Sequence, residues 1–486
     1  MKILMLNPPF LSKFSRSSRS PAVTKSGTIY YPLWLSYATG VLEKAGHQVL
    51  LVDAPAECVE LDDIKSRIIA FGPQMAVFDT STPSIFEDIV SLEKVKEWFR
   101  YRLLSILVGT HPTALADETM DLSPHIDIIA RREYDYTLRD IADRMAAGHL
   151  NLSEIPGITY KDGDRVIHNP DRSFITEMDD LPFVSAVYKK HLNIGNYFYA
   201  HVRNPTVSFF AGRGCPNRCF YCVYPQVMFG HEYRHRSPES IVAELEYIRM
   251  ELPDVKEVLI DDDNFTVDQE HVLAICDLII RMGLNVSWTI EARVNLRLDV
   301  MKAMKRAGCR LLVAGFESGA QQILNNISKG ATIEQAKEFC LNARKAGLRV
   351  HGCFMIGNKG ENHDTMRKTL DFAKQLKPDT AQFFPLMVYP GTRAYNWATE
   401  NSYIHAESYR SWLTEEGLHN CVLNTDLLSA RELVSFCDEA RKDFYLRPSY
   451  VTRKAIDMIA NPSEIRRTLK AAKVFSKHLF KGGKTC

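Results

Sequence analysis

Two stretches of the chain alternate short apolar runs with amphipathic helical patterns. The first begins at Lys2, where a buried-strand pattern ends at the turn sequence Asn7-Pro8-Pro9. A helical pattern follows and ends at Gly46, a residue suited to a helix C-cap. Because this alternation recurs, we predict a Rossmann-like, doubly wound parallel sheet. The predicted strands are Lys2–Leu6, Val49–Val52, Met75–Phe78, Ile106–Val108 and Ile126–Ile129, and the predicted helices are Leu33–Ala45, Asp62–Ala70, Phe86–Trp98 and Tyr136–Met145.

A second alternating series begins at Thr206. It contains six strand patterns, and a helical pattern follows each of the first five. Six strand and helix repeats predict an open or partial β/α barrel. The predicted strands are Val207–Ala211, Glu257–Ile260, Val286–Ile290, Arg310–Gly315, Arg349–Ile356 and Thr380–Phe384, and the helices are Ser237–Met250, Gln269–Met282, Asp299–Ala307, Ile333–Ala346 and Asp364–Leu376.

The stretch between the two series has a different character. Residues 158–167 carry a hairpin pattern around an Asp-Gly turn at 162–163, and the sequence Asp179-Asp180-Leu181-Pro182 then breaks the chain. We interpret this stretch as a linker between domains. The predicted division is a first domain at 1–150, a linker with a hairpin at 151–204, a barrel at 205–400, and a small helical C-terminal region with a basic tail at 401–486.

Length and composition narrow the class of protein. At 486 residues the chain exceeds the roughly 250 to 300 residues at which single cores stop growing. The formal charge of +1 and the 24% of charged residues give no reason to expect a nucleic-acid partner. Eleven cysteines, no signal-peptide pattern and no apolar run near the roughly 20 residues of a membrane span predict a cytoplasmic protein.

The last 36 residues, Val451 to Cys486, are basic. Nine Lys and Arg stand there against Asp457 and Glu464, a formal charge of +7, with apolar residues among them. Such an amphipathic helix can lie on an anionic membrane surface, which would make the protein peripheral and suit a lipid or isoprenoid substrate. The alternative is a solvated helix that caps the barrel. The cations are at 453, 454, 466, 467, 470, 473, 477, 481 and 484, and the apolar residues are Ile465, Leu469, Val474 and Leu479.

Three cysteines lie within eight residues, directly after the first strand of the second series. Cys215, Cys219 and Cys222 bring three sulfurs to one side of a tight loop, which suits three irons of a cubane whose fourth iron lacks a protein ligand. An open iron can bind and activate a substrate. A structural zinc site is the alternative, but zinc usually takes four ligands in two separated pairs, and no second pair lies nearby. Free buried thiols are the other alternative, which the density of the motif disfavours.

Polar residues follow the ends of successive strand patterns in the barrel series. Sites in β/α barrels form at the C-terminal ends of the strands, so these residues predict one shared pocket. Isolated caps and solvated loop charges are the alternative. The residues are Asp261 to Asn264, Glu291 and Arg293, Glu317 and Ser318, and Gly357 to Glu361.

The strand ends of the first series carry small loops rich in Thr, Ser, Gly and Pro. Ligands of open α/β sheets bind at this edge, and hydroxyls with backbone amides suit a large polar cofactor. A dinucleotide is not indicated, because no Gly-x-Gly-x-x-Gly follows the first strand. Ordinary α/β turns are the alternative. The loops are Asn7-Pro8-Pro9, Asp79 to Ser84, Gly109 to Thr113 and Arg131 to Glu133.

With these motifs the chain resembles, over nearly its whole length, the radical S-adenosylmethionine enzymes that carry an N-terminal cobalamin-binding domain. The three-cysteine spacing is similar to the cluster motif of that family. Where relatives often have Leu-Pro-Gly-Glu, this chain has Asn358-Lys359-Gly360-Glu361. The weaker likenesses are Asp261 to Phe265 after the second strand, Gly315 to Gly319 after the fourth, and Gly352 to Gly357 with Glu361 at the fifth.

The resemblance implies a [4Fe-4S] cluster on the three cysteines and S-adenosylmethionine on its open iron. An electron from a donor such as flavodoxin or ferredoxin would cleave S-adenosylmethionine, and the 5′-deoxyadenosyl radical would take hydrogen from an unactivated carbon. Arg293 would suit the methionine carboxylate, and Glu291 or Glu317 the ribose or amino group, unless these charges pair with one another. The implied contacts are Phe220, Tyr221, Asp262, Asp263, Glu291, Arg293, Glu317, Ser318, Gly352, Ile356 and Gly357.

The resemblance also implies cobalamin at the loops of the first domain. His111 is not assigned as a cobalt ligand, because the Asp-x-His-x-x-Gly motif of other cobalamin proteins is absent. Methyl transfer from methylcobalamin to a carbon of a small molecule or lipid is the leading expectation. Cyclisation, ring contraction, oxidative rearrangement and a non-catalytic cobalamin sensor are the alternatives. The implied cobalamin contacts are Asn7, Pro8, Pro9, Thr80, Ser81, Thr82, Gly109, Thr110, His111, Pro112, Arg131 and Glu133.

Overall fold

The computed structural model describes residues 1–460 and Ile465. Its N-terminal half contains a seven-stranded sheet in the order β2-β1-β3-β4-β5-β6-β7, in which the first five strands are parallel. Such a sheet is covered on both faces, so its strands are apolar throughout. The strands are β1 (Lys2–Asn7), β2 (Gln48–Asp53), β3 (Met75–Thr80), β4 (Leu104–Gly109), β5 (Ile128–Ala130), β6 (Ile158–Asp162) and β7 (Arg165–His168).

Helices cover both faces of this first sheet, as the alternating pattern predicted. The helix after β1 is buried from Leu33 to Leu42, because it lies between the sheet and the second half of the chain. The helices are α1 (Leu33–Lys44), α2 (Ala54–Glu57), α3 (Leu61–Phe71), α4 (Ile85–Trp98), α5 (Thr110–Ala114), α6 (Ala116–Asp121) and α7 (Asp135–Ala146), and α8 (Val184–His191) follows the hairpin.

The predicted hairpin forms, but its interpretation as part of a linker is wrong. Strand β6 pairs antiparallel with β5, with Ile129 opposite Thr159, and β7 pairs with β6. Ile158 and Thr159 are fully buried. The hairpin therefore covers an edge of the first sheet that would otherwise expose unpaired backbone groups.

The second half contains six parallel strands in the order β15-β14-β13-β12-β11-β8, which confirms the partial barrel. The predicted bounds of β11 and β14 match the observed ones. The strands are β8 (Thr206–Phe209), β11 (Glu257–Ile260), β12 (Trp288–Ala292), β13 (Cys309–Glu317), β14 (Arg349–Ile356) and β15 (Thr380–Pro385), and the short β9 (Gly212–Arg213) and β10 (Arg234–His235) form a separate antiparallel pair.

The helices of this half lie between the barrel strands and after the last of them. A π-helix, Tyr224–Phe229, follows the cysteine loop and was not predicted, nor was the pairing of β9 with β10 that closes the loop. The α-helices are α9 (Pro238–Glu251), α10 (Gln269–Arg281), α11 (Leu298–Arg306), α12 (Gln321–Asn326), α13 (Ile333–Ala346), α14 (His363–Leu376), α15 (Arg393–Glu400), α16 (Ala430–Tyr445) and α17 (Pro448–Ala460).

Tyrosines join the two halves into one buried core. The ring of Tyr31 stacks on Tyr188 and Tyr197, with centroids 4.2 and 3.8 Å apart. The hydroxyl of Tyr31 donates to the carbonyl of Thr206 at 2.8 Å, and that of Tyr37 to the carbonyl of Phe210 at 3.3 Å. The start of the barrel is thus held directly against α1.

The basic tail lies mostly outside the described residues. Arg453 and Lys454 belong to α17, whereas the other seven cations predicted for an amphipathic helix lie beyond residue 460 and, like Leu469, Val474 and Leu479, are not described. Within residues 1–460 and at Ile465, no helix combines the length and the apolar character needed to cross a membrane.

Candidate active site

The cysteine loop follows β9 and lies between the two strands of the β9–β10 pair. Cys215 and Cys219 are buried, and Cys222 is half-buried. The backbone N–H of Phe220 donates to the carbonyl of Ile327 at 2.9 Å, which ties the loop to the segment after α12. Gly214 has a φ of +85°, and a Cβ there would meet the carbonyl oxygen of Glu232 at 2.1 Å, so the loop requires glycine at this position.

Asp262 fixes the backbone that leads into this loop by accepting hydrogen bonds from it. Its carboxylate accepts the N–H groups of Ala211 and Gly212 at 2.8 and 3.1 Å and the hydroxyl of Tyr233 at 2.8 Å. Asp262 is fully buried, and burial raises its pKa to about 7. Its contact with S-adenosylmethionine stays a prediction, and in the structure its carboxylate accepts these three donors.

The thiols receive one donor from within the motif, Asn217, and one from outside it, Arg293. The side-chain amide of Asn217 donates to Sγ of Cys215 at 3.3 Å, and the guanidinium of Arg293 to Sγ of Cys219 at 3.5 Å. Burial raises the pKa of the Cys215 and Cys222 thiols, so a bound cation is needed to stabilise their thiolates.

The donor set fits an iron–sulfur cluster better than a single ion. In the part of the chain that the structure describes, no three or more His, Cys, Asp or Glu side chains are grouped to hold one metal ion. Zinc needs its sulfurs about 2.3 Å from one centre, whereas a cubane binds each thiolate at a different iron. Three cysteines with N–H donors to two of their sulfurs would hold such a cluster.

Acidic side chains surround the mouth of the barrel beside the loop. Glu317 accepts the hydroxyl of Tyr221 at 2.8 Å and pairs with Lys329 at 2.7 Å. Burial raises the pKa of Glu291 to about 7 and that of Asp263 to about 6. Oδ2 of Asp263 is buried without a hydrogen-bond partner. These groups fit a ligand that carries cationic and N–H groups, as S-adenosylmethionine does.

Arg19 reaches this mouth from the first domain, and the sequence did not single it out. Its guanidinium lies 2.9 Å from Oδ1 of Asp261 and 3.8 Å from Oε1 of Glu291. It also donates to the carbonyl of Asp262 at 2.8 Å. Arg19 and Asp261 are 242 residues apart in the sequence, so no local pattern could have indicated their contact.

The fifth-strand motif forms a tight turn around Glu361. Its carboxylate accepts the N–H groups of Gly357 and Asn358 at 2.6 and 2.9 Å, and burial raises its pKa to about 7. Oε1 of Glu361 and Oδ1 of Asn358 are buried and have no partner. This turn therefore offers acceptors despite the absence of Leu-Pro-Gly-Glu.

The other implied contacts to S-adenosylmethionine are enclosed in the fold. Ser318 is fully buried, and its hydroxyl lies 3.1 Å from that of Thr369. Phe220 packs edge-on against Trp397 at 5.7 Å, and Ile356 is fully buried in β14 beside Gly352. Their contacts with S-adenosylmethionine stay predictions.

The strand ends of the first sheet carry a buried polar network. Asn7 donates to Asp53 at 2.7 Å, and Arg16 donates to Asn7 and to the carbonyl of Pro8, each at 2.7 Å. Thr80 donates to the carbonyl of Val108 at 2.7 Å.

Three buried atoms near this edge lack a partner: Oδ2 of Asp79, Nε2 of His111 and OH of Tyr134. Burial raises the pKa of Asp79 to about 7 and lowers that of His111 to about 3. Nδ1 of His111 lies 3.3 Å from the hydroxyl of Thr82, and its ring packs edge-on against Tyr409 at 4.9 Å. Unsatisfied acceptors and donors at a strand edge fit the many amide groups of cobalamin.

Arg131 and Glu133, also implied cobalamin contacts, bind other parts of the protein. Arg131 donates to the carbonyls of Ile158 and Asn169 at 2.5 and 2.6 Å, which fixes the hairpin. Glu133 accepts Arg213 and Arg234, each at 2.9 Å. The cobalamin contacts of Asn7, Pro8, Pro9, Thr80, Ser81, Thr82, Gly109, Thr110, His111 and Pro112 stay predictions, as do those of Arg131 and Glu133.

Each half of the chain matches a known protein family. Residues 210–373 match the radical SAM superfamily, and residues 19–142 match the B12 binding domain. The chain is 31% identical over 454 residues to an uncharacterized methyltransferase of Pyrococcus horikoshii, covering 93% of this chain and 94% of that protein. It is 26% identical over 369 residues to the anaerobic magnesium-protoporphyrin IX monomethyl ester cyclase of Rubrivivax gelatinosus, covering 74% of this chain and 64% of that protein.

Solved structures share the two-domain architecture. The radical S-adenosylmethionine methyltransferase TsrM of Kitasatospora setae superposes with a TM-score of 0.67 at 16% identity, covering 90% of this chain and 88% of TsrM. The cobalamin-dependent S-adenosylmethionine radical enzyme OxsB superposes with a TM-score of 0.64 at 17% identity, covering 88% of this chain and 58% of OxsB.

A cobalamin-type α/β domain joined to a six-stranded partial barrel with a three-thiol loop defines a radical enzyme with a cobalamin domain. The chain belongs to the cobalamin-dependent radical S-adenosylmethionine enzymes. Its cofactors are a [4Fe-4S] cluster, S-adenosylmethionine and cobalamin, as the resemblance implied.

Proposed function

We propose that this enzyme transfers a methyl group to a carbon atom of a small-molecule substrate. The alignment with a methyltransferase over nearly the full length of both chains carries this proposal. A cytidylyl-2-hydroxyethylphosphonate methyltransferase of Streptomyces wedmorensis, 24% identical over 86% of each chain, supports the same reaction class. The domain division proposed with it keeps residues 1–150 as the cobalamin domain, adds the hairpin at 158–168, and keeps 205–400 as the barrel.

The cofactors supply the radical and the methyl group when they are bound. The side chains of the barrel mouth would orient the bound S-adenosylmethionine and exclude water from the site. Arg293, which donates to the Cys219 sulfur, would bind the carboxylate of S-adenosylmethionine beside the cluster. Tyr221 and Lys329 both donate to Oε1 of Glu317, which holds this carboxylate in one position at the mouth. Asp262 keeps the cysteine loop in register with β8.

The proposal includes an external one-electron donor such as flavodoxin or ferredoxin, because no redox protein segment is part of the chain's two matched domains. A cytoplasmic location stays part of the proposal. A lipid substrate or peripheral membrane contact has no support from the described residues, since the basic tail lies largely outside them.

A radical cyclisation is the second candidate reaction. The anaerobic magnesium-protoporphyrin IX monomethyl ester cyclases of Rubrivivax gelatinosus and Cereibacter sphaeroides are each 26% identical to this chain over about three quarters of its length. These relatives favour a substrate of porphyrin-like size if the reaction is a ring closure.

The test uses protein that has been reconstituted anaerobically with iron, sulfide and cobalamin. S-adenosylmethionine with a ¹³CD₃ methyl group is added together with a reductant and the small-molecule fraction of a cell extract. We expect 5′-deoxyadenosine, methionine and a product that carries the labelled methyl group, all absent with Cys222→Ala. Labelled product formed equally well without cobalamin would exclude the proposed methyl donor. An unlabelled product two hydrogens lighter than its precursor would favour cyclisation.

A further inference from the structure

The loop between β1 and α1 connects the strand ends of the two sheets. We call residues 16–20 of this loop the connector. Arg16 is buried and fixed to the first sheet: its guanidinium donates to Asn7 and to the carbonyl of Pro8, and it pairs with Asp88 at 2.5 Å. One end of the connector is therefore immobilised at the edge where cobalamin is expected.

Three residues later, the connector enters the barrel mouth. The guanidinium of Arg19 contacts Asp261, Glu291 and the carbonyl of Asp262 and lies 5.6 Å from the ring centroid of Tyr224. The hydroxyl of Tyr224 donates in turn to the carbonyl of Ser17 at 2.9 Å. These contacts with a carboxylate, a carbonyl and a ring fix the orientation of the Arg19 guanidinium, which is always charged.

The cations of the barrel near this mouth bind other groups than Asp261 and Glu291. Lys329 pairs with Glu317, and Arg293 donates to the Cys219 sulfur and to the carbonyl of Lys329. In the described part of the chain, the ion pairs of Asp261 and Glu291 are both with Arg19. The first domain thus provides the cation for the acidic side of the barrel mouth.

We propose that Arg19 is a positioning residue for S-adenosylmethionine, because its ion pairs with Asp261 and Glu291 orient these carboxyls at the mouth of the barrel and favour their ionised form. The site for S-adenosylmethionine is then complete only when the first domain is docked. This inference rests on the proposed function, since it assumes that S-adenosylmethionine binds beside the cysteine loop.

The charges around these carboxyls determine the sign of the effect. Asp261, Asp263 and Glu317 face Glu291 with like charge, and Arg19 faces it with opposite charge. Asp261 faces Arg19 and lies near the phenols of Tyr30, Tyr199 and Tyr224, which are neutral at physiological pH. Removal of Arg19 would leave only repulsion and desolvation, so the carboxyls would take up protons at higher pH.

The experiment measures binding of labelled S-adenosylmethionine to cluster-loaded full-length protein, by anaerobic equilibrium dialysis between pH 5.5 and pH 9. Arg19→Gln should bind about tenfold more weakly at neutral pH, and its pH midpoint should rise by about one unit, the smaller end of the shift that a removed opposite charge produces. Arg19→Lys should keep the wild-type midpoint. The control is Arg367→Gln, which removes an exposed pair with Glu439 on the outer helices and should change neither value.

A role in domain packing alone would give a different result. Arg19→Gln would then lose cluster and cobalamin together, yet the protein that remained loaded would bind with the wild-type midpoint, and this outcome overturns the inference. If Arg19→Gln loads no cluster, Arg19→Met replaces it, because its side chain keeps the packing on Tyr224 without the charge.

A double-mutant cycle with Glu291→Gln separates direct coupling from indirect effects. If Arg19 acts through Glu291, the double variant should bind no more weakly than the weaker single variant, whereas effects that multiply would overturn the inference. Failure of the proposed function is distinguishable, because the wild-type protein would then form no methylated product, whereas its binding of S-adenosylmethionine is measured separately by the dialysis.

Discussion

The guanidinium of Arg213 donates to both carboxylate oxygens of Asp135, at 2.8 and 3.2 Å. Arg213 lies two residues before Cys215, and Asp135 begins α7 of the first domain. A second carboxylate, Glu133, accepts from Arg213 at 2.9 Å, and all three side chains are buried. The base of the cysteine loop is therefore fixed by the neighbouring domain rather than by the barrel alone.

Replacement of Arg213 should destabilise the protein strongly. Arg213→Ala leaves the buried Asp135 without its cation and leaves Glu133 with Arg234 alone, and loss of one partner of a buried pair costs about 3–5 kcal/mol. Unfolding in urea, followed by circular dichroism, measures the change, and the reconstituted variant should also bind less iron. Arg367→Ala, which breaks an exposed pair, should cost at most about 1 kcal/mol. Equal effects of the two variants would contradict the role assigned to Arg213.

The three cysteines of the loop should each be needed for iron, unlike cysteines elsewhere in the fold. Cys215→Ala, Cys219→Ala and Cys222→Ala should lose labile sulfide, the visible absorption of the cluster and the formation of 5′-deoxyadenosine. Cys340→Ala is the control, because Cys340 is buried in α13 on the outside of the barrel. Retention of a full cluster by any of the three loop variants would show that the cysteine concerned is not a ligand.

The repeating architecture could be predicted because each strand and helix is encoded locally. Helix α13 and strands β11 and β14 have the bounds that the apolar pattern predicts. The cysteine loop was also predictable, since its three thiols are close in sequence. The hairpin was found as an element, but its attachment to β5 depends on which edge is left open once the sheet has formed.

The direction of loop side chains could not be predicted. Arg131 and Glu133 follow a strand end, and the sequence did not indicate that they bind the hairpin and the base of the cysteine loop. Arg19 lies in a segment without a distinctive pattern, and Arg213 lies beside the cysteine motif but is not one of its ligands. The partners of both come from the other domain. Contacts of this kind depend on how the two domains dock, which local sequence does not encode.

The buried carboxyl of Asp79 should make stability depend on pH. Burial raises its pKa to about 7, well above that of an exposed aspartate. The folded state therefore holds this proton more tightly than the unfolded state. Its stabilising contribution is complete below about pH 4 and is lost as the pH rises towards 7. Asp79→Asn should therefore raise the free energy of unfolding at pH 8 by about 1–3 kcal/mol relative to its effect at pH 4.5.

Urea midpoints of the cofactor-free protein at pH 4.5 and pH 8 test this dependence. The exposed Asp62, in the first turn of α3, provides the control variant Asp62→Asn. A change for Asp79→Asn that is the same at both pH values would show that the carboxyl is not protonated in the folded state. The same variant should weaken binding of cobalamin if the unpartnered oxygen of Asp79 accepts one of its amides.

Gly109 should tolerate no side chain, and the reason lies in the pairing of β3 with β4. Its φ is +123°, and a Cβ would lie 2.2 Å from the carbonyl oxygen of Thr80, the residue opposite it in the sheet. That oxygen belongs to the backbone, so relief requires the two strand ends to separate. Gly148 has a φ of +74° with nothing within 4 Å of the same position, so Gly148→Ala adds only backbone strain of about 1–2 kcal/mol.

Gly109→Ala should cost more than this strain and should displace the loop that carries Thr110 and His111. We therefore expect cobalamin binding, followed by absorption spectroscopy on the full-length protein, to fall at least tenfold for Gly109→Ala and to stay unchanged for Gly148→Ala. Wild-type affinity in a Gly109→Ala protein that has lost stability would place cobalamin away from the end of β4. If both the stability of the protein and its affinity for cobalamin fall for Gly109→Ala but not for Gly148→Ala, the turn at the end of β4 is part of the cobalamin site.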